Sequence, residues 1–136
     1  MKRTIPVFAV LAAIALALPA SHAQTLTGAQ AQKSPQAEVF LAYEKALLWQ
    51  GIDAAGAYMT PKRLAEMKEM FKKFSFEEFQ TETRKRRAQG EARRRQIENL
   101  VVDGDYAELK VINGPNDVDT MRLVKTKDGW KIATYK

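Results

Sequence analysis

The hydrophobic period of this sequence changes once, at Gly90. Before Gly90 apolar residues recur at helical spacing, and after it they alternate between turn pairs such as Asp103-Gly104 and Asp128-Gly129. Because helices come first and strands follow, the sequence predicts an α+β domain, with N-terminal helices packed on one face of an antiparallel sheet. The short turns predict a meander of four strands.

Helix starts in the first part are marked by capping residues. Ser34-Pro35 and Thr60-Pro61 each combine a hydroxyl cap with proline at the first helical position. Ser75, followed three residues later by glutamate, is typical of a capping box. Gly51 is expected to end the first of these helices in a left-handed conformation, and Asp53 to cap a short helix after it.

The first 23 residues have the pattern of a cleavable signal peptide. A basic start is followed by the uncharged run Ile5–Leu18 and then by small residues at Ser21 and Ala23. The run is shorter than the roughly 20 residues that a membrane-spanning helix needs. We therefore expect cleavage after Ala23 and a bacterial protein that is periplasmic or secreted.

Cleavage would leave a flexible leader, residues 24–34, and a single domain, residues 35–136. The leader is predicted from its small and polar composition. His22 is the one histidine and there is no cysteine, so the mature chain would lack imidazole and thiolate groups. This excludes histidine-based triads, disulfides and the usual zinc sites. We predict no metal, no cofactor and no catalytic residue.

The segment Arg84 to Arg95 carries seven cations in twelve residues. Such a density suits capture of phosphate or carboxylate groups, although a solvated helix end followed by a strand edge is the simpler interpretation. A strand is predicted from Arg93 to Val102, which places Arg93 and Arg95 on one face and favours an anion-binding pocket there. The patch for an acidic partner or an anionic envelope surface comprises Arg84, Lys85, Arg86, Arg87 and Arg94.

Aromatic residues are the candidates for an apolar ligand pocket. Tyr43, Tyr58 and Trp130 are the side chains that we expect to line it. Plain core packing explains their spacing equally well.

Three phrases resemble the nuclear transport factor 2-like superfamily, which has a cone-shaped α+β fold. They are AEVFLAYEKALLWQGIDAAGAYMTP (37–61), VVDGDYAELKV (101–111) and MRLVKTKDGWKIATYK (121–136), so the resemblance covers nearly all of the predicted domain. It implies a cone whose relatives include ketosteroid isomerases, dehydratases, polyketide cyclases and binding modules. The enzymes among them use an acid–base Asp or His inside the cone, whereas the mature chain would have no histidine.

These observations favour a non-catalytic binding or interaction module over an enzyme. Its ligand would be a small anionic or apolar molecule, and nucleic acid is not an expected partner. One alternative is an isomerase or dehydratase that uses a buried carboxylate with Tyr43 or Tyr58. A second is a structural homodimer formed through the outer face of the sheet, with Val118, Val124 and Ile132 as its apolar residues.

Overall fold

The computed structural model of the protein describes residues 23–134. The helices are α1 (Gly28–Gln32), α2 (Pro35–Trp49), α3 (Ile52–Ala55), α4 (Pro61–Lys73), α5 (Phe76–Arg86) and α6 (Glu91–Arg95), with a 3-10 turn at Gly56–Tyr58. The strands are β1 (Gln24–Thr27), β2 (Ile97–Asp103), β3 (Tyr106–Gly114), β4 (Asp117–Thr126) and β5 (Gly129–Ile132). The α+β class with helices before the meander is therefore confirmed. The predicted signal peptide, apart from Ala23, lies outside the described residues.

The sheet has five antiparallel strands in the order β1-β2-β3-β4-β5. Its inner face is a row of paired, fully buried side chains, in which Leu100 lies opposite Leu109 and Leu123 lies opposite Ile132. The ladder between β2 and β3 is irregular between Ile97 and Asn99, and an irregularity of this kind bends a sheet. The predicted meander is present as β2–β5, but the count of four strands was wrong.

The fifth strand comes from the segment that was predicted to be a flexible leader. β1 pairs with β2 along four residues, from Gln24 opposite Val102 to Thr27 opposite Asn99. Ala31 in α1 is fully buried in the core. The prediction of a leader over 24–34 was wrong because backbone pairing with a distant strand, rather than large side chains, holds this segment.

The predicted caps at three helix starts are confirmed. The Ser34 hydroxyl accepts a hydrogen bond from the Ala37 amide at 3.1 Å, Thr60 does the same for Arg63 at 3.2 Å, and Ser75 for Glu78 at 3.2 Å. Gly51 follows α2 with a φ of 124°, a conformation that favours glycine. These local interactions fix where the core helices begin.

Asp53 is not the cap that the sequence predicted. The N-cap position of α3 is Gly51, and Asp53 lies in the first turn with its carboxylate 3.0 Å from the Lys68 ammonium. Its exposed position gives it a surface ion pair and no part in a cavity. Between residues 23 and 134, no helix combines the length and the apolarity that crossing a bilayer requires.

The outer face of the sheet is more polar than predicted. Glu108 and Arg122 lie opposite each other there and form an ion pair of 3.1 Å. Ile132, which was predicted to belong to this face, is 1% exposed and lies opposite Leu123 in the core. Val118 is half-exposed and Val124 is partly buried.

Candidate ligand-binding site

Two cavities lie between α2 and the elements that face it. The inner cavity has a volume of about 280 Å³. Its apolar lining comes from Phe40, Tyr43, Leu47, Leu48, Phe79 and Met121, and its polar lining from Glu44, Arg63, Thr83, Arg87, Arg93 and Asp119. The cavity is therefore apolar along much of α2 and charged where α2 meets the 83–93 segment.

The outer cavity has a volume of about 430 Å³ and is lined in part by the loop between α5 and α6. It is lined by Leu41, Glu44, Lys45, Leu48, Trp49, Arg84, Arg87, Ala88, Gln89, Gly90, Glu91, Arg93 and Arg94. Four residues line both cavities, namely Glu44, Leu48, Arg87 and Arg93. The two cavities thus share one wall, and both volumes together fall in the range of small-molecule sites.

A buried ion pair forms the polar part of the shared wall. Arg93 donates from Nε to Glu44 Oε1 at 2.6 Å and from Nη2 to Glu44 Oε2 at 2.9 Å. The side chains of Arg93 and Glu44 are 4% and 13% exposed. Buried charges need such bidentate pairing to offset their desolvation, so this pair holds both side chains in one geometry.

Asn113 at the end of β3 extends the pair into a network. Its Oδ1 accepts hydrogen bonds from Arg87 Nη1 at 2.6 Å and from Arg93 Nη1 at 2.9 Å. Its Nδ2 donates to Asp119 Oδ2 at 2.6 Å. Two guanidinium groups and two carboxylates from α2, the 87–93 segment and the sheet are therefore linked through one amide.

Arg87 keeps donor capacity at this wall. Its Nε is buried without a hydrogen-bond partner in the described part of the chain. The nearest carboxylate oxygen, Glu44 Oε2, lies at 3.7 Å, which is too far for a hydrogen bond. A buried N–H group of this kind is costly unless a ligand or a water molecule accepts from it.

The rest of the basic segment divides into cations that contact other residues of the fold and cations at the surface. Arg94 donates to the Gln32 carbonyl at 2.7 Å and to Glu38 at 2.6 Å, and the Glu38 hydrogen bond raises the pKa of the Arg94 guanidinium. The Arg84 guanidinium lies 4.9 Å from the centroid of the Trp49 ring. Lys85 pairs with Glu82 at 3.3 Å and is exposed, as is Arg86.

Of the predicted ligand-binding residues, Arg93 and Tyr43 line the inner cavity. Arg95 lines a separate cavity beside Thr27 and Ile97, and Tyr58 and Trp130 line none of these three cavities. The predicted strand from Arg93 was wrong, because Glu91–Arg95 is a helix and β2 begins at Ile97. Helical spacing turns Arg95 away from Arg93, so Arg95 is exposed and its Nε donates to the Glu91 carbonyl. Tyr58 and Trp130 pack against the core.

Sequence reasoning missed Glu44, Asn113 and Asp119. Glu44 lies four residues after buried Phe40 and four before buried Leu48, so helical spacing could have placed this carboxylate on the inner side of α2. Asp119 lies within β4, two residues after the start of the strand, where no sequence motif marks it as a site residue. Asn113 carries no signal beyond its place near a turn.

A comparison with protein-family models assigns the chain to a family. A family model described as "Putative lumazine-binding" matches residues 35–135. The chain belongs to this family. The family is part of the nuclear transport factor 2-like superfamily, so the predicted superfamily and its cone-shaped α+β fold are confirmed at that level. No curated protein and no solved structure matches the chain.

Proposed function

We propose that the protein is a non-catalytic binding module of the bacterial cell envelope that holds a small molecule in the inner and outer cavities. The observation that carries the proposal is the shared wall, where the Glu44–Arg93 pair is held between two cavities. Arg93 occupies both oxygens of Glu44, so this carboxylate is poorly placed to accept a proton from a substrate. Membership in a family described as lumazine-binding supports a small-molecule ligand.

Lumazine is the first ligand to test, because the family description names it. We expect saturable one-to-one binding in a titration followed by lumazine fluorescence. The variant Ala88→Trp places a large ring at the exposed rim of the outer cavity and should weaken binding by about 10-fold or more. Ala65→Trp, at an exposed position of α4 outside both cavities, is the matched control.

Binding that is equal in both tryptophan variants would contradict the location of the site. Absence of saturable lumazine binding would remove lumazine as the ligand. A ligand of other chemistry would then have to be found with the protein when it is isolated from cells, and its absence there too would refute the proposed function.

Export is part of the proposal and has its own test. Cleavage after Ala23 would leave β1 complete, since this strand begins at Gln24. The full chain should be expressed in a bacterium that exports it, and the protein recovered from the envelope fraction should be sequenced from its N-terminus. We expect Gln24 as the first residue, and protein that begins at Met1 in the cytoplasm would contradict export.

One observation favours a second candidate function, an isomerase or dehydratase. Tyr43 and Glu44 line the same inner cavity, and the Tyr43 hydroxyl donates to Met67 Sδ at 3.4 Å. This enzyme would use Glu44 after release from Arg93. Turnover of a β,γ-unsaturated ketone that is lost in Glu44→Gln would support it, and unchanged turnover in this variant would contradict it.

A further inference from the structure

We propose that the outer cavity binds an organic anion with an apolar ring-shaped body, whose acidic group is held by Lys45, Arg84 and Arg87. This inference rests on the proposed function and names the chemical class of its ligand. Five cations and two carboxylates line the outer cavity, so the formal charge of its lining is +3. The inner cavity has three cations against two carboxylates and is closer to neutral.

Some hydrogen-bond donors of the cations in the outer cavity are not used by the described residues. Arg93 and Arg94 donate hydrogen bonds to carboxylates, whereas three other cations keep unused donors. Among the described residues, Arg87 Nε has no hydrogen-bond acceptor. Arg84 donates from its Nε to the Gln80 carbonyl at 3.2 Å, and its guanidinium lies over the Trp49 ring, with no further hydrogen bond to the described residues. Lys45 is exposed and makes no hydrogen bond or ion pair with the described residues. Unused guanidinium donors at a cavity are suited to a carboxylate or a phosphate group.

The apolar part of the lining indicates what the rest of the ligand is like. Leu41, Leu48, Trp49 and Ala88 surround the same cavity. Trp49 is 51% exposed, although a tryptophan of this size normally buries most of its surface. An apolar ring would cover the leucine and indole surface, while its acidic group reaches the cations.

The size of the site favours a small molecule over a macromolecular surface. A cavity of about 430 Å³ is in the usual range for small ligands. The three exposed cations of the segment, Lys85, Arg86 and Arg95, are outside the lining of the outer cavity. The cations that line the cavity are therefore a different set from those that an anionic membrane or an acidic protein would meet first.

Two fluorescent probes of nearly the same shape distinguish the contribution of the acidic group to binding from that of the ring. The probes are 8-anilinonaphthalene-1-sulfonate, which is an anion, and N-phenyl-1-naphthylamine, which lacks the sulfonate. Both probes are titrated into the whole protein as it is isolated from the cells that produce it. The readout is fluorescence energy transfer from tryptophan to the probe. We expect one-to-one binding and an affinity about 10-fold or more higher for the anion, since hydrogen bonds to charged groups have this effect.

Three variants locate the anion. Arg87→Gln and Lys45→Gln should each remove most of the preference for the anionic probe and leave the neutral probe within about two-fold. Arg95→Gln makes the same change of charge on an exposed arginine outside the outer cavity and should have no effect. Arg87 also bonds to Asn113, so Lys45→Gln at an exposed position keeps the test valid if Arg87→Gln does not fold.

The outcomes distinguish a failure of this inference from a failure of the proposed function. Equal affinity for both probes, or an equal loss in Arg95→Gln, would overturn the anion site while leaving small-molecule binding intact. Failure of both probes to bind would count against both proposals. Displacement of the anionic probe by 1-naphthoate or by 1-naphthyl phosphate would show which acidic group is preferred, and equal displacement by neutral 1-naphthalenemethanol would overturn the inference.

Discussion

Replacing Arg93 by methionine is the change that the structure predicts to be most costly at the shared wall. Methionine retains much of the side-chain length but cannot bond to Glu44, whose side chain is 13% exposed. Breaking a buried ion pair from one side costs about 3–5 kcal/mol, because the other charge is left without its partner. Arg87 Nε lies only 3.7 Å from Glu44 Oε2 and can move closer to it. We therefore expect a loss of about 3 kcal/mol, at the lower end of this range.

The assay is urea unfolding followed by tryptophan fluorescence. With a typical slope of about 2 kcal/mol per molar urea, the midpoint should fall by about 1.5 M. The double variant Glu44→Leu/Arg93→Met removes both charges and should lose about 2 kcal/mol less than the sum of the single variants.

Arg122→Met is the matched control for this prediction. Arg122 also pairs with a glutamate, Glu108, but their side chains are 32% and 49% exposed. An exposed pair contributes at most about 1 kcal/mol. If Arg93→Met cost no more than Arg122→Met, or if the losses of the two single variants simply added, the Glu44–Arg93 pair would not stabilise the shared wall.

Substitutions at four further positions test the packing and the local structure, each by urea unfolding. Leu109→Ala should lower the free energy of unfolding by about 2–5 kcal/mol because Leu109 is fully buried. Val118→Ala on the outer face should lower it by less than about 1 kcal/mol, and similar losses in the two variants would contradict the assigned faces. Ser34→Ala should cost about 1 kcal/mol because it removes the cap of α2, and Ser34→Asn should recover part of this. Gly51→Ala should destabilise by about 1 kcal/mol because its φ of 124° strains a residue with a side chain. No atom of the described residues lies near the added methyl group, so a neutral effect would argue against that conformation.

Features that depend on neighbouring residues could be predicted from the sequence. The hydroxyl caps at Ser34, Thr60 and Ser75 act over three residues, so the pattern contains all that is needed. The four strands of the meander follow from alternation and from turn residues for the same reason. The family comparison then supported the superfamily that the three sequence phrases had indicated.

Features that depend on distant contacts could not be predicted. β1 has an unremarkable composition and is ordered by pairing with β2, which lies more than 70 residues later in the chain. The arginines of α6 were expected in a strand because the period changes at Gly90, but the new period begins only at Ile97. The pairing of Arg93 with Glu44, 49 residues apart, could be recognised only after folding had placed both side chains together.

The most direct test of small-molecule binding is native mass spectrometry of the protein isolated gently from the envelope of cells that export it. We predict a persistent added mass with a one-to-one ratio, which is lost in Ala88→Trp and retained in Ala65→Trp. A bare monomer in every preparation would contradict the account. A bare dimer would contradict it as well, and would favour assembly through the outer face of the sheet.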